Sequence, residues 1–194
     1  METERFEALI DAILAIIITI IVMEIPLPET TSLMSLIELY PEFIAYAISF
    51  VICFKVWNYH HNLFNIVNKL NSTITWTSGI SIMFVGLLPH VTTMIASDFH
   101  SFVAQAMFGL VFFITCISCF IVDEMLIHID KANIALRLAL ENRKKITVIS
   151  ILIFIIGYII GYYLYPPAIL VSCVIVIFSN YIPRKYLKKI KLPF

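Results

Sequence analysis

The chain has 194 residues, 61% of them hydrophobic and 13% charged, with a net charge of zero and a mean hydropathy of +0.97. An ordinary soluble domain is about 25% charged, and a fold this small has too little interior to hide so much apolar surface. The composition therefore points to a membrane, with a large buried oligomer core as the alternative, and the balanced charge argues against a nucleic-acid partner.

In chain order, the N-terminal METERFEALID is acidic and amphipathic. It lacks the basic n-region and small-residue cleavage site of a signal peptide, so the hydrophobic run behind it is expected to stay in the mature protein. A membrane helix needs about 20 mostly apolar residues. Runs of that kind predict six spans, at 8–26, 42–60, 73–95, 101–122, 146–165 and 167–182. Pro26 and Pro28 close the first, and Pro41 opens the second, where its missing N–H costs nothing. Between the fourth and fifth spans, residues 123–145 form a charged loop with apolar residues at helical spacing. That pattern predicts a short amphipathic helix or an extension of either neighbouring span. Between the fifth and sixth, YYLYPPAI is short enough to be a tight hairpin turned by Pro166 and Pro167. In the fifth span, Gly157 and Gly161 make a small-xxx-small pattern that permits close helix approach.

Orientation follows from the 13 Lys and Arg residues. With the N-terminus in the cytoplasm, Arg5, Lys55, Lys69, Lys131, Arg137, Arg143, Lys144 and Lys145 all fall on the inner side. So does the tail RKYLKKIKLPF, whose charge can also attract anionic lipid. The external loops carry Glu24, Glu29, Glu38, Glu42 and Asp98 instead. The positive-inside rule thus predicts an all-α polytopic protein, one six-helix domain over 1–194, both termini cytoplasmic, in the cell membrane.

The four cysteines, Cys53, Cys116, Cys119 and Cys173, lie within hydrophobic runs and read as apolar packing residues. No nucleophile–base set, HExxH or phosphate-binding glycine loop appears, so no enzyme activity and no cofactor is expected. Polar side chains inside spans are the functional candidates, because lipid tolerates them poorly. In the first span Asp11 needs hydrogen bonds or a cation. The second span ends in WNYHH, where Trp57, His60 and His61 stand at i, i+3 and i+4. Asp11 could accept from any of these or from a hydroxyl on the third span; a proton relay through the histidines and an interfacial position for Asp11 are the alternatives. At about 100° per residue, Ile16, Ile20 and Met23 share a stripe bordered by Thr19, and Asp11 lies about 140° off it. Such a stripe either packs against neighbours and lipid or, facing water, forms apolar rings that gate by dewetting.

These residues together resemble the prokaryotic relatives of the TMEM175 potassium channel. That family opens its first span with Arg-x-x-x-Phe-Ser-Asp. Here Arg5 and Asp11 keep the spacing, while Leu9 and Ile10 replace the phenylalanine and serine. Trp57 with His60 and His61, Ser49-Phe50 and Leu87-Leu88-Pro89 match further family residues. The resemblance implies a homotetramer with the first helix of each subunit lining a central pore. It implies an apolar constriction at Ile16, further pore-lining layers at Ile20 and Met23, and a K⁺-favouring hydroxyl at Thr19. K⁺ would pass near Ile16 and Thr19, with no structural metal site. Arg5, Asp11, Trp57, His60 and His61 would form the interhelical network that holds the first helix. The expected function is passive K⁺ permeation; a proton-coupled or other secondary transporter and a non-conducting membrane scaffold are the rivals.

Overall fold

The computed structural model describes residues 3–64, 71–129 and 133–179, and among these the chain is entirely helical apart from turns. Lys69, Lys131, the end of the predicted sixth span and the basic tail lie outside the described residues. Helix α1 covers Thr3–Met23, α2 Leu33–Glu38, α3 Tyr40–Phe64, α4 Ser72–Val85 and α5 Leu88–Ser97. Helices α6, Phe102–Ile129, α7, Ile134–Tyr163, and α8, Ala168–Ser179, complete the order. Five stretches are long and apolar enough to cross a membrane: Glu4–Met23, Tyr40–Phe64, Ser72–Ser97, Phe102–Ile129 and Arg143–Tyr163. Helix α8 is equally apolar but shorter as described. The molecule is a multi-pass, all-α membrane protein.

The helices depart from the sequence expectation in the third span and after the first, and over 123–145 they follow one of its alternatives, extension of the neighbouring spans. The third predicted span is two helices, α4 and α5, joined at Gly86 and Leu87. Pro89 has no N–H to give Val85, and the Leu87 N–H turns back to Phe84 O at 3.0 Å instead of continuing the α-helical ladder. The predicted loop 123–145 is absorbed from both sides, α6 running on to Ile129 and α7 starting at Ile134. Its apolar residues at helical spacing are what allow both extensions. The connection after α1 contains the short helix α2, capped by the Ser32 hydroxyl, which accepts from Ser35 N–H at 3.1 Å.

Side-chain contacts fix the two ends of the bundle. Residues 7 and 11 meet 61 and 57 at one end, and residue 59 meets 123 there. At the other end Glu24 faces Thr93 and the His100 and Tyr165 rings touch. Successive spans therefore alternate in direction. Apolar burial gives little drive between helices in lipid, so close van der Waals fit must hold them. Helix α7 shows how: a methyl group added at Gly161 would sit 2.6 Å from Ile169, and at Gly157 it would collide with Ser172. The two glycines let α8 lie directly against α7. Helix α1 packs one face, Phe6, Ile10, Leu14, Ile17 and Ile21, into the core.

Candidate functional site

Those five buried residues of α1 recur at intervals of three and four, so the opposite face is left uncovered by the other described residues. That uncovered face holds the predicted stripe. Ile16 is 58% exposed, Ile20 40% and Met23 81%, and Thr19 is exposed beside them. The Thr19 hydroxyl donates to Ile16 O at 2.7 Å. Its single proton is thereby used, and what it offers outward is oxygen lone pairs. Such a group can accept from water or contact a cation; it has no proton left for an anion.

The polar residues near the start of α1 stand on a different side. Trp57 Nε1–H donates to Asp11 Oδ1 at 2.9 Å. One turn along, His61 Nδ1–H donates to Glu7 Oε1 at 2.8 Å. Glu7 and Asp11 are i and i+4 on α1; Trp57 and His61 are i and i+4 on the antiparallel α3. The result is a ladder of two rungs, and its α3 members are themselves stacked, with ring centroids 5.3 Å apart and planes 9° from parallel. Glu7 is the member that sequence reasoning misses. A signal for it exists: it sits four residues before Asp11, just as His61 sits four after Trp57.

His60 stands elsewhere. One residue is about 100° on a helix, so His60 points into the bundle, 1% exposed. Its Nδ1–H donates to Val56 O at 2.9 Å, and its ring packs edge-on against Tyr59 and tilted against Phe64. The structure thus brings Asp11, Trp57 and His61 together and places His60 on another side of α3. Arg5 lies on the exposed side of the first turns of α1. The other end of α1 is tied by a longer contact, Thr93 Oγ1 to Glu24 Oε2 at 3.4 Å.

Two further sets of polar contacts join α3 to its neighbours. Ser49 and Thr92 meet at 2.7 Å in the core. Because Thr92 donates to Leu88 O, Ser49 is the donor between them, pinning α3 to α5 just beyond the interruption in the third span. On the far side of α3, Tyr59 donates to Asp123 Oδ1 at 2.9 Å, and Arg143 Nη1 lies 3.4 Å from the same oxygen. The Arg143 guanidinium also stands 4.8 Å over the Tyr59 ring. No group of three or more His, Cys, Asp or Glu side chains able to hold a metal occurs among the described residues.

Comparison with known proteins adds to this geometry. The family model described as endosomal/lysosomal potassium channel TMEM175 matches residues 5–89, the part of the chain that carries α1, its ladder and the start of the third span. A potassium channel of Chryseobacterium sp. is 34% identical over 157 residues, 81% of each chain. The endosomal/lysosomal proton channel TMEM175 of Mus musculus is 34% identical over 101 residues, 46% of this chain and 20% of that one. The crystal structure of a lysosomal potassium-selective channel TMEM175 homolog from Chamaesiphon minutus has the same fold. It aligns with a TM-score of 0.77 over 93% of this chain and 97% of that one, at 22% identity. With a relative this similar over most of both chains, this protein belongs to the TMEM175 family, a family of membrane channels and not of enzymes.

Proposed function

We propose that the chain is a passive, K⁺-permeable cation channel, a homotetramer in which α1 of each subunit lines a central pore. In this reading each subunit has six spans, with α8 in the sixth, and both termini lie in the cytoplasm. The observation that carries it is the uncovered face of α1, where Ile16, Thr19, Ile20 and Met23 stand exposed, free of the other described residues. Four such faces around an axis make stacked apolar rings, with Ile16 as the constriction.

The physics is then simple. A hydrated cation enters from either side, and acidic external loops raise its local concentration. At the Ile16 ring it sheds part of its hydration, since isoleucine offers no carbonyl or carboxylate in exchange. The larger K⁺ loses less by this than Na⁺ does, which gives a modest preference. Thr19, with its proton bonded to Ile16 O, supplies oxygen lone pairs next to the ring. The rungs from Asp11 and Glu7 to Trp57 and His61 set the rotation of α1 about its own axis. Arg5 joins this network from the helix start, while His60 braces α3 from its core side through the Phe64 ring.

The test is K⁺ and proton flux through purified protein in liposomes, with assembly checked by native mass spectrometry. Wild type should pass K⁺ as a tetramer without a proton gradient. Ile16→Asn should raise flux about tenfold, equivalent to lowering the barrier by about 1.4 kcal/mol, and bring K⁺ and Na⁺ rates together. A variant that assembles normally and conducts as wild type does would remove Ile16 from the pore. Saturating flux that requires a proton gradient would support the transporter instead, and no flux at all the scaffold.

A further inference from the structure

Helix α3 has a second polar face, pointing away from α1. Lys55 and Tyr59 lie one turn apart on it and, with residues of α6, α7 and α8, they line a half-open cavity of about 320 Å³. Asp123, Arg143, Thr147 and Ser150 supply most of the remaining polar lining. Helix α1 contributes nothing to it, so the cavity is separate from any pore lined by the Ile16 stripe. It lies at the end of the bundle that carries the start of α1, within the spans and not beyond them.

Its charge is unbalanced. Asp123 is already engaged by Tyr59 and Arg143. Lys55 has one partner, the Ile177 carbonyl at 2.6 Å, and no carboxylate among the described residues. Two cations thus face one anion in a space walled largely by apolar side chains, in surroundings where an uncompensated charge is costly. An ammonium has three donors and a guanidinium five, so both cations keep N–H groups to give. The hydroxyls of Thr147 and Ser150 also line the cavity, although each donates its proton to its own helix.

A cationic, half-open, apolar-walled cavity inside a membrane protein suits an anion that arrives with its own apolar part. We propose that it binds the phosphate headgroup of an anionic phospholipid, with Lys55 and Arg143 as the phosphate ligands and the acyl chains outside the cavity against the bundle. Phosphate accepts from both cations at once, as no water can while also neutralising charge. A volume of this size takes a phosphate and its glycerol, not the chains. This site goes beyond the conduction reading and stands whether or not the α1 stripe is a pore.

The experiment is native mass spectrometry of the full chain, released from nanodiscs of phosphatidylcholine with a minor share of phosphatidylglycerol, which gives the membrane the negative surface that attracts basic groups. Because the charge of the basic tail RKYLKKIKLPF would draw anionic lipid too, the cavity is isolated by changing it alone. Wild type should retain phosphatidylglycerol in preference to phosphatidylcholine. Lys55→Gln should lower that retention at least about fivefold, and Lys55→Arg should restore it. Ser150→Phe, which fills the cavity without removing either cation, should lower it as much, and serves if Lys55→Gln folds poorly. Equal retention in wild type, Lys55→Gln and Ser150→Phe overturns the site. Displacement of the lipid by millimolar inorganic phosphate alone overturns the phospholipid as its source, leaving a free-anion pocket.

Discussion

The two polar faces of α3 are built to different plans. Toward α1, Trp57 and His61 meet Asp11 and Glu7 at the molecular surface, with His61 45% and Glu7 24% exposed. Away from α1, Tyr59 meets Asp123 and Arg143 where the carboxylate is only 8% exposed. The first is a ladder in which each rung is a single hydrogen bond from a neutral or titratable ring. The second is a knot in which one carboxylate serves two donors on two other helices. A rung at the surface can part and be replaced by water at little cost; losing a buried acceptor costs more, because less water reaches its donors, although the Tyr59 hydroxyl also lies 2.9 Å from Cys119 O. The knot therefore holds α3, α6 and α7 in one body, and the ladder positions α1 on that body.

The sharpest way to break this contrast is Asp123→Ala. It leaves the Arg143 guanidinium without its carboxylate beside the half-buried Tyr59 ring; with Arg143 33% exposed and Asp123 8%, the cost falls between that of an exposed and a fully buried pair, about 2 kcal/mol. Thermal unfolding of the purified protein in detergent should show a larger fall in midpoint than any change in the ladder produces. Asp123→Asn retains an acceptor for Tyr59 and should cost well under half as much. An alanine variant as stable as wild type would mean that the knot holds nothing.

Trp57→Phe tests the ladder at its indole rung. It deletes the indole N–H that reaches Asp11 but keeps an aromatic ring to lie over His61. A hydrogen bond to a charged acceptor contributes about 1.5–3 kcal/mol when buried; at this exposed position about 1 kcal/mol is expected. Stability should therefore fall slightly while K⁺ flux changes more, because the helix that moves is the one proposed to line the pore. A fall in stability comparable with that of Asp123→Ala, with flux unaltered, would reverse the assignment of the two faces.

Much of this architecture is legible in the sequence alone, and the exceptions are instructive. Periodicity places Ile16, Ile20 and Met23 on one side of α1 and Asp11 off it, because a helix fixes angles between its own residues without help from tertiary structure. The partner of Asp11 narrows to Trp57, the histidines or a hydroxyl, since few polar groups end their spans on the same side. Which one answers depends on the rotation of α3, set by the packing of Ala45, Ile52 and Val56 in the core. The adjacent His60 and His61 show the limit plainly: a shared motif, but side chains on different faces. The knot is not legible at all. Tyr59, Asp123 and Arg143 come from three helices, and no spacing within one chain segment links them. The interruption at Gly86 and Leu87 has a signal in Pro89, masked by unbroken hydrophobicity.

The rung between Glu7 and His61 offers the finest discrimination, because it can be altered by removing a charge alone. Glu7→Gln keeps a side-chain oxygen to accept from His61 and removes only the charge. Exposed ion pairs contribute about 1 kcal/mol at most, so the unfolding midpoint should move little. The flux consequence depends on what the rung does. If it merely solvates the end of α1, flux should match wild type at every salt concentration. If the two rungs together set the rotation of α1, then Glu7→Gln should shift flux in the same direction as Trp57→Phe, by a smaller factor. The difference from wild type should also shrink as ionic strength rises, because salt screens the charge in the native rung. Combining Glu7→Gln with Trp57→Phe then gives the decisive number. Rungs four residues apart on both helices act on the same rigid rotation, so their effects on flux should be non-additive. Strict additivity would mean that each side chain acts alone and that the ladder is not one device.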